Sequence, residues 1–355
     1  MKPKYISEFD TLRAAAAFAV MAAHFAGGAS FLVSRLGLPG VQLFFALSGF
    51  LITGILLDCK RLSKSQSNLA TLGRFYIRRA LRIFPLYYLG IIVFAGFLTP
   101  NLRSNLVWFL TYTVNIGKAF GSENWAPLNH FWTLAVEEQF YIAWPWIVLL
   151  CSITVIKRVS YVLILLGIIT RLAIYFAGGS LTAIQQLTPC CFEPLALGAL
   201  FAIWKSDTQN IDRLKRNARG CLWLGLAMSA ALFAGASWTV LGVLAPIAYA
   251  MLFAPMIFLV AINSGSPSLK LLRLPAVTYL GRISYGIYVW HLPVLGGFYS
   301  LNIDLNAWVP SPWHAILRTL LLTLLTILLS SLSWILFEKP INSLKRHYPY
   351  RVSEA

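Results

Sequence analysis

Residues 131–144 read FWTLAVEEQFYIAW. Two adjacent glutamates, Glu137 and Glu138, sit inside a run that otherwise has the composition of a membrane helix. A carboxylate at bilayer depth is costly and marks a function or a partner. The surrounding chain supports the membrane reading. Of its 355 residues, 58% are hydrophobic and only 12% charged, about half the charged share of a soluble domain. That composition excludes an ordinary soluble enzyme. It predicts an all-α, polytopic membrane protein of about ten transmembrane helices.

Apolar runs place helices near 8–27, 41–57, 82–99, 132–151, 159–176, 190–204, 219–235, 241–263, 277–299 and 315–337. The stretch 105–120 is short and dotted with polar groups, so it reads as re-entrant or interfacial. Lys2, Lys4 and the apolar run 14–23 resemble a secretory signal. Glu8, Asp10 and Arg13 precede that run, however, so it reads as a retained first helix. No internal repeat, low-complexity tract or soluble domain is visible. The chain reads as one membrane domain, 1–355, with helices to about 337 and a short basic tail.

The net charge of +17 has its explanation in topology. Lys60, Arg61, Lys64, Arg74, Arg78 and Arg79 crowd one connection, and Lys205, Arg213, Lys215, Arg216 and Arg219 another. Lys157, Arg158, Lys270, Arg273, Lys345, Arg346 and Arg351 fall on the same side of a ten-helix arrangement. The alternate connections hold little beyond Arg35, Arg103 and Lys118. This asymmetry puts both termini in the cytoplasm. Nucleic acid is not implied. The five cysteines and five histidines lack ligand spacing, so neither a disulfide framework nor a metal is implied.

Arg13 and His24 lie eleven residues apart, which returns them to one helix face within about 20° and separates them by about 16 Å. Asp10 is placed to pair with Arg13. The alanines between leave room for a close helix or a slender ligand. The plainer alternative is a snorkelling arginine and an interfacial histidine. In the opening stretch, His130, Thr133, Glu137, Tyr141 and Trp144 form one stripe at helical spacing. Glu137 therefore aims into a polar interior, unless it only pairs with an arginine from another helix. Glu138 lies about 100° away, near the rim or beside a loop cation. Arg78, Arg79 and Arg82 gather before FPLYY, where guanidinium forks suit phosphates and also anionic headgroups. Ala46, Ser48 and Gly49 suit tight helix contact, with Gln42 the one strong polar group of their block. Tyr288 and His291, one turn apart, face a common cavity or form an aromatic belt. Glu338, in FEKP, has Lys339 or a loop cation as a possible partner.

These segments together resemble the membrane-bound acyltransferase family 3, the O-acetylases of bacterial surface polysaccharides. The resemblance rests on six blocks in order: Arg13 with His24, GVQLFFALSGF (40–50), Arg79 with Arg82, WTLAVEEQFY (132–141), SYGIYVWHLP (284–293) and FEKP (337–340). It implies a multi-pass protein of the bacterial inner membrane. It also implies acyl transfer from cytoplasmic acyl-CoA, acetyl-CoA above all, to a hydroxyl of a surface glycan, lipid-linked carriers included. His24, Glu137 and Arg13 are then the catalytic set, and Arg79, Arg82 and Arg78 hold the donor. Tyr141, Trp132, Tyr288, His291 and Glu138 are expected to bind substrate. Gln42 departs from the pattern, since many members carry an acid there. The chain resembles the form without an added hydrolase-like domain. In the expected mechanism His24 deprotonates the acceptor or carries the acyl group, and Glu137 orients it. A proton-coupled transporter or flippase for a lipid-linked sugar is the alternative that the same buried His, Glu and Arg allow. A structural scaffold of an export assembly would leave the polar stripe unexplained.

Overall fold

The computed structural model describes residues 5–25, 31–62, 67–97, 103–121, 125, 127–301 and 313–350. Lys2, Lys4, Lys64 and Arg351 lie outside them. Among the described residues the fold is all helical. Ten helices of 16 residues or more follow in order: α1 (Glu8–Phe25), α2 (Gly37–Leu62), α3 (Asn68–Phe97), α4 (Trp132–Leu150), α5 (Ile153–Phe176), α6 (Phe192–Asp207), α7 (Ile211–Gly235), α8 (Trp238–Ile262), α9 (Ser284–Ser300) and α10 (Trp313–Ser333). Each of the ten apolar runs overlaps one of them. Five (α2, α5, α7, α8 and α10) are long and apolar enough to cross a membrane by length and composition. The outward faces of α5, α7 and α10 expose Ile169, Trp223 and Leu324, an apolar surface suited to lipid.

Several starts are set by caps. Ser152, Asn210 and Ser237 accept the N–H groups of Val155, Arg213 and Val240 and begin α5, α7 and α8. Prolines inside α3, α4, α8 and α9 persist because neighbouring helices hold the chain in place. One reading needs correction. The run 277–299 is not one helix: Pro275–Arg282 ends, and α9 begins at Ser284. There the backbone of Gly281 lies against the Asp10 carbonyl, closer than any side chain allows. The stretch 105–120 forms two short helices, Leu106–Leu110 and Val114–Phe120, joined at Tyr112 with φ +54°.

Side-chain contacts gather the connections at two ends. Arg61 reaches Ser206, Lys157 reaches Asp207, and Arg273 reaches Glu8 at one end. At the other, Asn115 meets Thr188, and buried Arg35 caps the carbonyls of Phe233 and Ala236. The basic connections therefore share one end of the bundle.

Helix α2 is central. It packs on α6, α1, α8 and α4. Its contact with α6 is backbone to backbone: a Cβ on Gly49 would sit 1.9 Å from the Leu195 carbonyl oxygen, and one on Gly198 2.3 Å from that of Ala46. The small-residue reading of 46–49 holds, for the reason given there. Gly49→Ala is expected to destabilise the protein by about 1–3 kcal/mol, because backbone rather than a flexible side chain must move. Thermal unfolding in detergent checks this, and an unchanged midpoint would refute the tight contact.

Candidate active site

The arginines, Glu137 and Tyr288 line one cavity of about 280 Å³. Five basic residues border it, Arg13, Arg78, Arg79, Arg82 and Lys345, against one carboxylate, Glu137. Arg13 hydrogen-bonds Asp10 at 2.8 Å, as their spacing predicted. Arg78 donates Nη1 to the carbonyls of Lys345 (2.8 Å) and Tyr348 (3.0 Å). Arg79 lies over the Tyr141 ring, 5.3 Å from its centroid. Among the described residues neither Arg79 nor Arg82 has a hydrogen bond or ion pair to protein. Helix α3 carries all three, with Arg78 and Arg82 one turn apart and Arg79 beside them.

Helix α4 brings Thr133, Glu137 and Tyr141 to the same cavity, as the stripe requires. Ser48 donates to Glu137 at 2.5 Å and accepts from Tyr141 at 2.9 Å, so a hydroxyl from α2 joins both. Sequence reasoning read Ser48 only as a small packing residue. Further along, the Tyr288 hydroxyl meets Thr133 Oγ1 at 2.5 Å and donates to the His130 carbonyl at 3.0 Å.

His24 is not held by Glu137. Its ring partner is His291, with Nδ1 of His24 3.1 Å from Nε2 of His291. The tautomers follow from the other end of the chain. Nδ1 of His291 is 2.7 Å from the Tyr288 carbonyl, which only accepts, so Nδ1 carries the proton. In the neutral pair, Nε2 of His291 then accepts from His24 Nδ1–H. Among the described residues, with the Val20 backbone also hydrogen-bonded to the ring, that leaves His24 Nε2 with a lone pair and no side-chain partner. The His24 side chain is exposed, whereas His291 and His130 are buried. His130 packs 4.7 Å from His291, centroid to centroid, and its Nε2 lies 3.2 Å from the Val289 carbonyl. His130 was on the stripe but not among the expected site residues. Its position one turn before Thr133 was the available signal.

The structure therefore shows one polar sequence of side chains. It runs from Arg79 and Arg82, through Tyr141, Glu137 and Ser48, to Thr133 and Tyr288, and on to His130, His291 and His24. The alanine face of α1 that might have admitted a ligand is occupied by α2, whose Gly40 sits on the Ala16 carbonyl.

Several expected site residues lie elsewhere. Glu138 is not at the rim and has no cation partner among the described residues: it is 8% exposed, with Oε1 lacking a hydrogen bond. The first half of that side of α4 is covered, with Leu134 also buried, while Ile142 one turn on is exposed. Trp132 does not line the cavity; it packs edge-on against Phe45. Among the described residues Glu338 forms an ion pair with neither Lys339 nor a loop cation. It is buried, and its Oε1 accepts from Ser333 across the π-helical turn Trp334–Glu338. Gln42 is buried with Oε1 unsatisfied, and does not line the cavity.

The chain is similar to several named proteins. It is 30% identical over 368 aligned residues to the peptidoglycan O-acetyltransferase OatA of Listeria monocytogenes, covering 96% of this chain and 56% of that protein. It is 28% identical to the putative peptidoglycan O-acetyltransferase YrhL of Bacillus subtilis, covering 96% and 55%. It is 24% identical to the O-acetyltransferase OatA of Staphylococcus aureus, covering 96% and 58%. The chain thus spans a little over half the length of these relatives. No solved structure matches it. The acyltransferase domain model matches residues 6–335, which include both ends of the polar sequence of side chains. On that match the chain belongs to the acyltransferase domain family.

Proposed function

We propose that the protein is a membrane O-acetyltransferase that takes an acetyl group from acyl-CoA on the cytoplasmic side and delivers it to a glycan hydroxyl. The observation that carries this reading is the pair of open guanidiniums, Arg79 and Arg82, at the far end of a polar sequence of side chains from a histidine whose Nε2 has a lone pair and no side-chain partner among the described residues. Unpartnered guanidinium forks suit the phosphates of CoA. In this reading all ten long helices span the bilayer, the basic end is cytoplasmic, and both termini lie there. The peptidoglycan activity named for its relatives favours a cell-wall saccharide as acceptor.

In the reaction the thioester enters by its pantetheine arm along the cavity, past Tyr141 and Tyr288. His24 Nε2 removes the acceptor's hydroxyl proton. The oxygen attacks the thioester carbonyl, a C–O bond forms and the C–S bond breaks. The proton passes from His24 to the departing CoA thiolate. His291 holds His24 in the tautomer that leaves Nε2 basic, the orienting role first expected of Glu137. Glu137 instead fixes Ser48 beneath Tyr141, under Arg79. Arg13 is placed to balance charge in the cavity.

The test is saturable binding of labelled acetyl-CoA to the purified protein, wild type against Arg79→Ala and Arg82→Ala. Each substitution removes a charge-assisted contact and is expected to weaken binding about tenfold or more. Equal binding by all three proteins would remove the donor assignment.

A further inference from the structure

We propose that Lys345 is a phosphate ligand of the acyl donor, held in place by a segment that Arg78 straps across the mouth of the arginine cavity. The proposal rests on the acyl-CoA reading above and assigns a residue outside the family's matched region, which ends at 335.

The sequence offered no reason to separate Lys345 from other tail cations. In the structure it is separate. The last helix runs on through Lys339–Ser343, and Leu344–His347 ends it as a short 3-10 helix. Residues 345 and 350 then line the cavity together with Arg79 and Arg82. Arg78 fixes this segment at three points. It donates to the Lys345 and Tyr348 carbonyls, and its guanidinium lies 4.6 Å from the Tyr350 ring centroid. Tyr350 in turn packs on the main core beneath. Arg78, first expected to grip the donor itself, is here the anchor of the strap. The Arg79 and Arg82 guanidiniums keep their donors open.

The Lys345 ammonium is half-buried and bonded to the neutral Asn342 side chain. One acceptor leaves two of its three protons available. No carboxylate pairs with it among the described residues, while the charges of Arg82, Arg79 and Arg78 all bear on it. Four cations turned toward one another in a partly desolvated mouth repel. An anion carrying several charges reverses the sign of every one of those interactions. The adenosine bisphosphate end of CoA is such an anion, and the cavity behind admits its slender arm. Anionic lipid headgroups carry the same phosphate chemistry, so the experiment separates the two.

The full-length protein is purified in neutral detergent. Turnover is measured with acetyl-CoA and with S-acetylpantetheine, which has the arm and thioester but no phosphate. Lys345→Ala is expected to lower the acetyl-CoA to S-acetylpantetheine ratio of kcat/KM about tenfold, through KM, and Lys345→Arg to restore it. Arg78→Ala is expected to lower the same ratio, with little added loss in the Lys345→Ala, Arg78→Ala double variant, because both remove one contact. An unchanged ratio in Lys345→Ala overturns the proposal. So does an equal loss with both donors that Lys345→Arg does not rescue, which marks a structural role. A loss seen only in vesicles containing anionic lipid, with the ratio unchanged, assigns the cations to headgroups and also overturns it. Failure of the wild type to use acetyl-CoA at all refutes the donor reading itself, which the Lys345 comparison alone cannot do.

Discussion

His24→Ala is expected to slow acyl transfer by about 10²–10⁴-fold while leaving the protein folded and acetyl-CoA bound. The argument is geometric. Among the described residues His24 has the one ring nitrogen of the His24–His291 pair left without a side-chain partner, and its side chain is exposed where His291 is buried. It does not line the arginine cavity, so its loss does not touch the donor's phosphates. His291→Ala is expected to cost less, because it removes the partner that selects the tautomer and leaves the base in place. Single-turnover rates on folded, donor-saturated protein measure both. A His24→Ala rate within about tenfold of wild type would place the base elsewhere.

The second large effect is on stability. Arg171 of α5 and Glu193 of α6 form an ion pair with side chains 1% and 0% exposed. Nη1 of Arg171 donates to Glu193 Oε2 at 2.7 Å and to the Cys190 carbonyl at 2.8 Å, Nη2 donates to Oε1, and Nε donates to the Val243 carbonyl at 2.9 Å. Glu193→Ala leaves a guanidinium buried without its counter-charge, at a cost of about 3–5 kcal/mol. Replacing both, as Arg171→Met with Glu193→Leu, is expected to recover most of that, since neither charge then remains. Unfolding midpoints of Glu193→Ala and of the double variant decide the matter. A double variant as unstable as Glu193→Ala would mean that the pair's geometry, rather than its charge balance, holds α5 to α6.

The helices were legible because bilayer length and apolar composition leave few alternatives for a run of about 20 residues. The break at Ile283 was not, since apolar residues continue on both sides of it and the close backbone contact of Gly281 with Asp10 joins residues distant in sequence. The stripe from His130 to Tyr141 was readable from spacing alone, and the structure keeps it on one side. The neighbour rule failed for Glu138. A stripe assumes one polar and one outward face, but the outward face of α4 begins only at Ile142, one turn beyond Glu138. The meeting of His24 with His291 joins residues 267 apart, for which a single sequence carries no signal. Ser48 and Lys345 were each explained too well by something simpler, small-residue packing for one and charge topology for the other. Their contacts with Glu137 and with the arginine cavity appear only in three dimensions.

The central claim is that the acyl group enters at the arginine end and leaves at the histidine end. Proteoliposomes holding the purified protein with its arginine mouth outward test it directly. Labelled acetyl-CoA is supplied outside and a saccharide acceptor is enclosed within. The account predicts label on the enclosed acceptor, abolished by His24→Ala. Label that reaches an acceptor only when it shares a compartment with acetyl-CoA would contradict it.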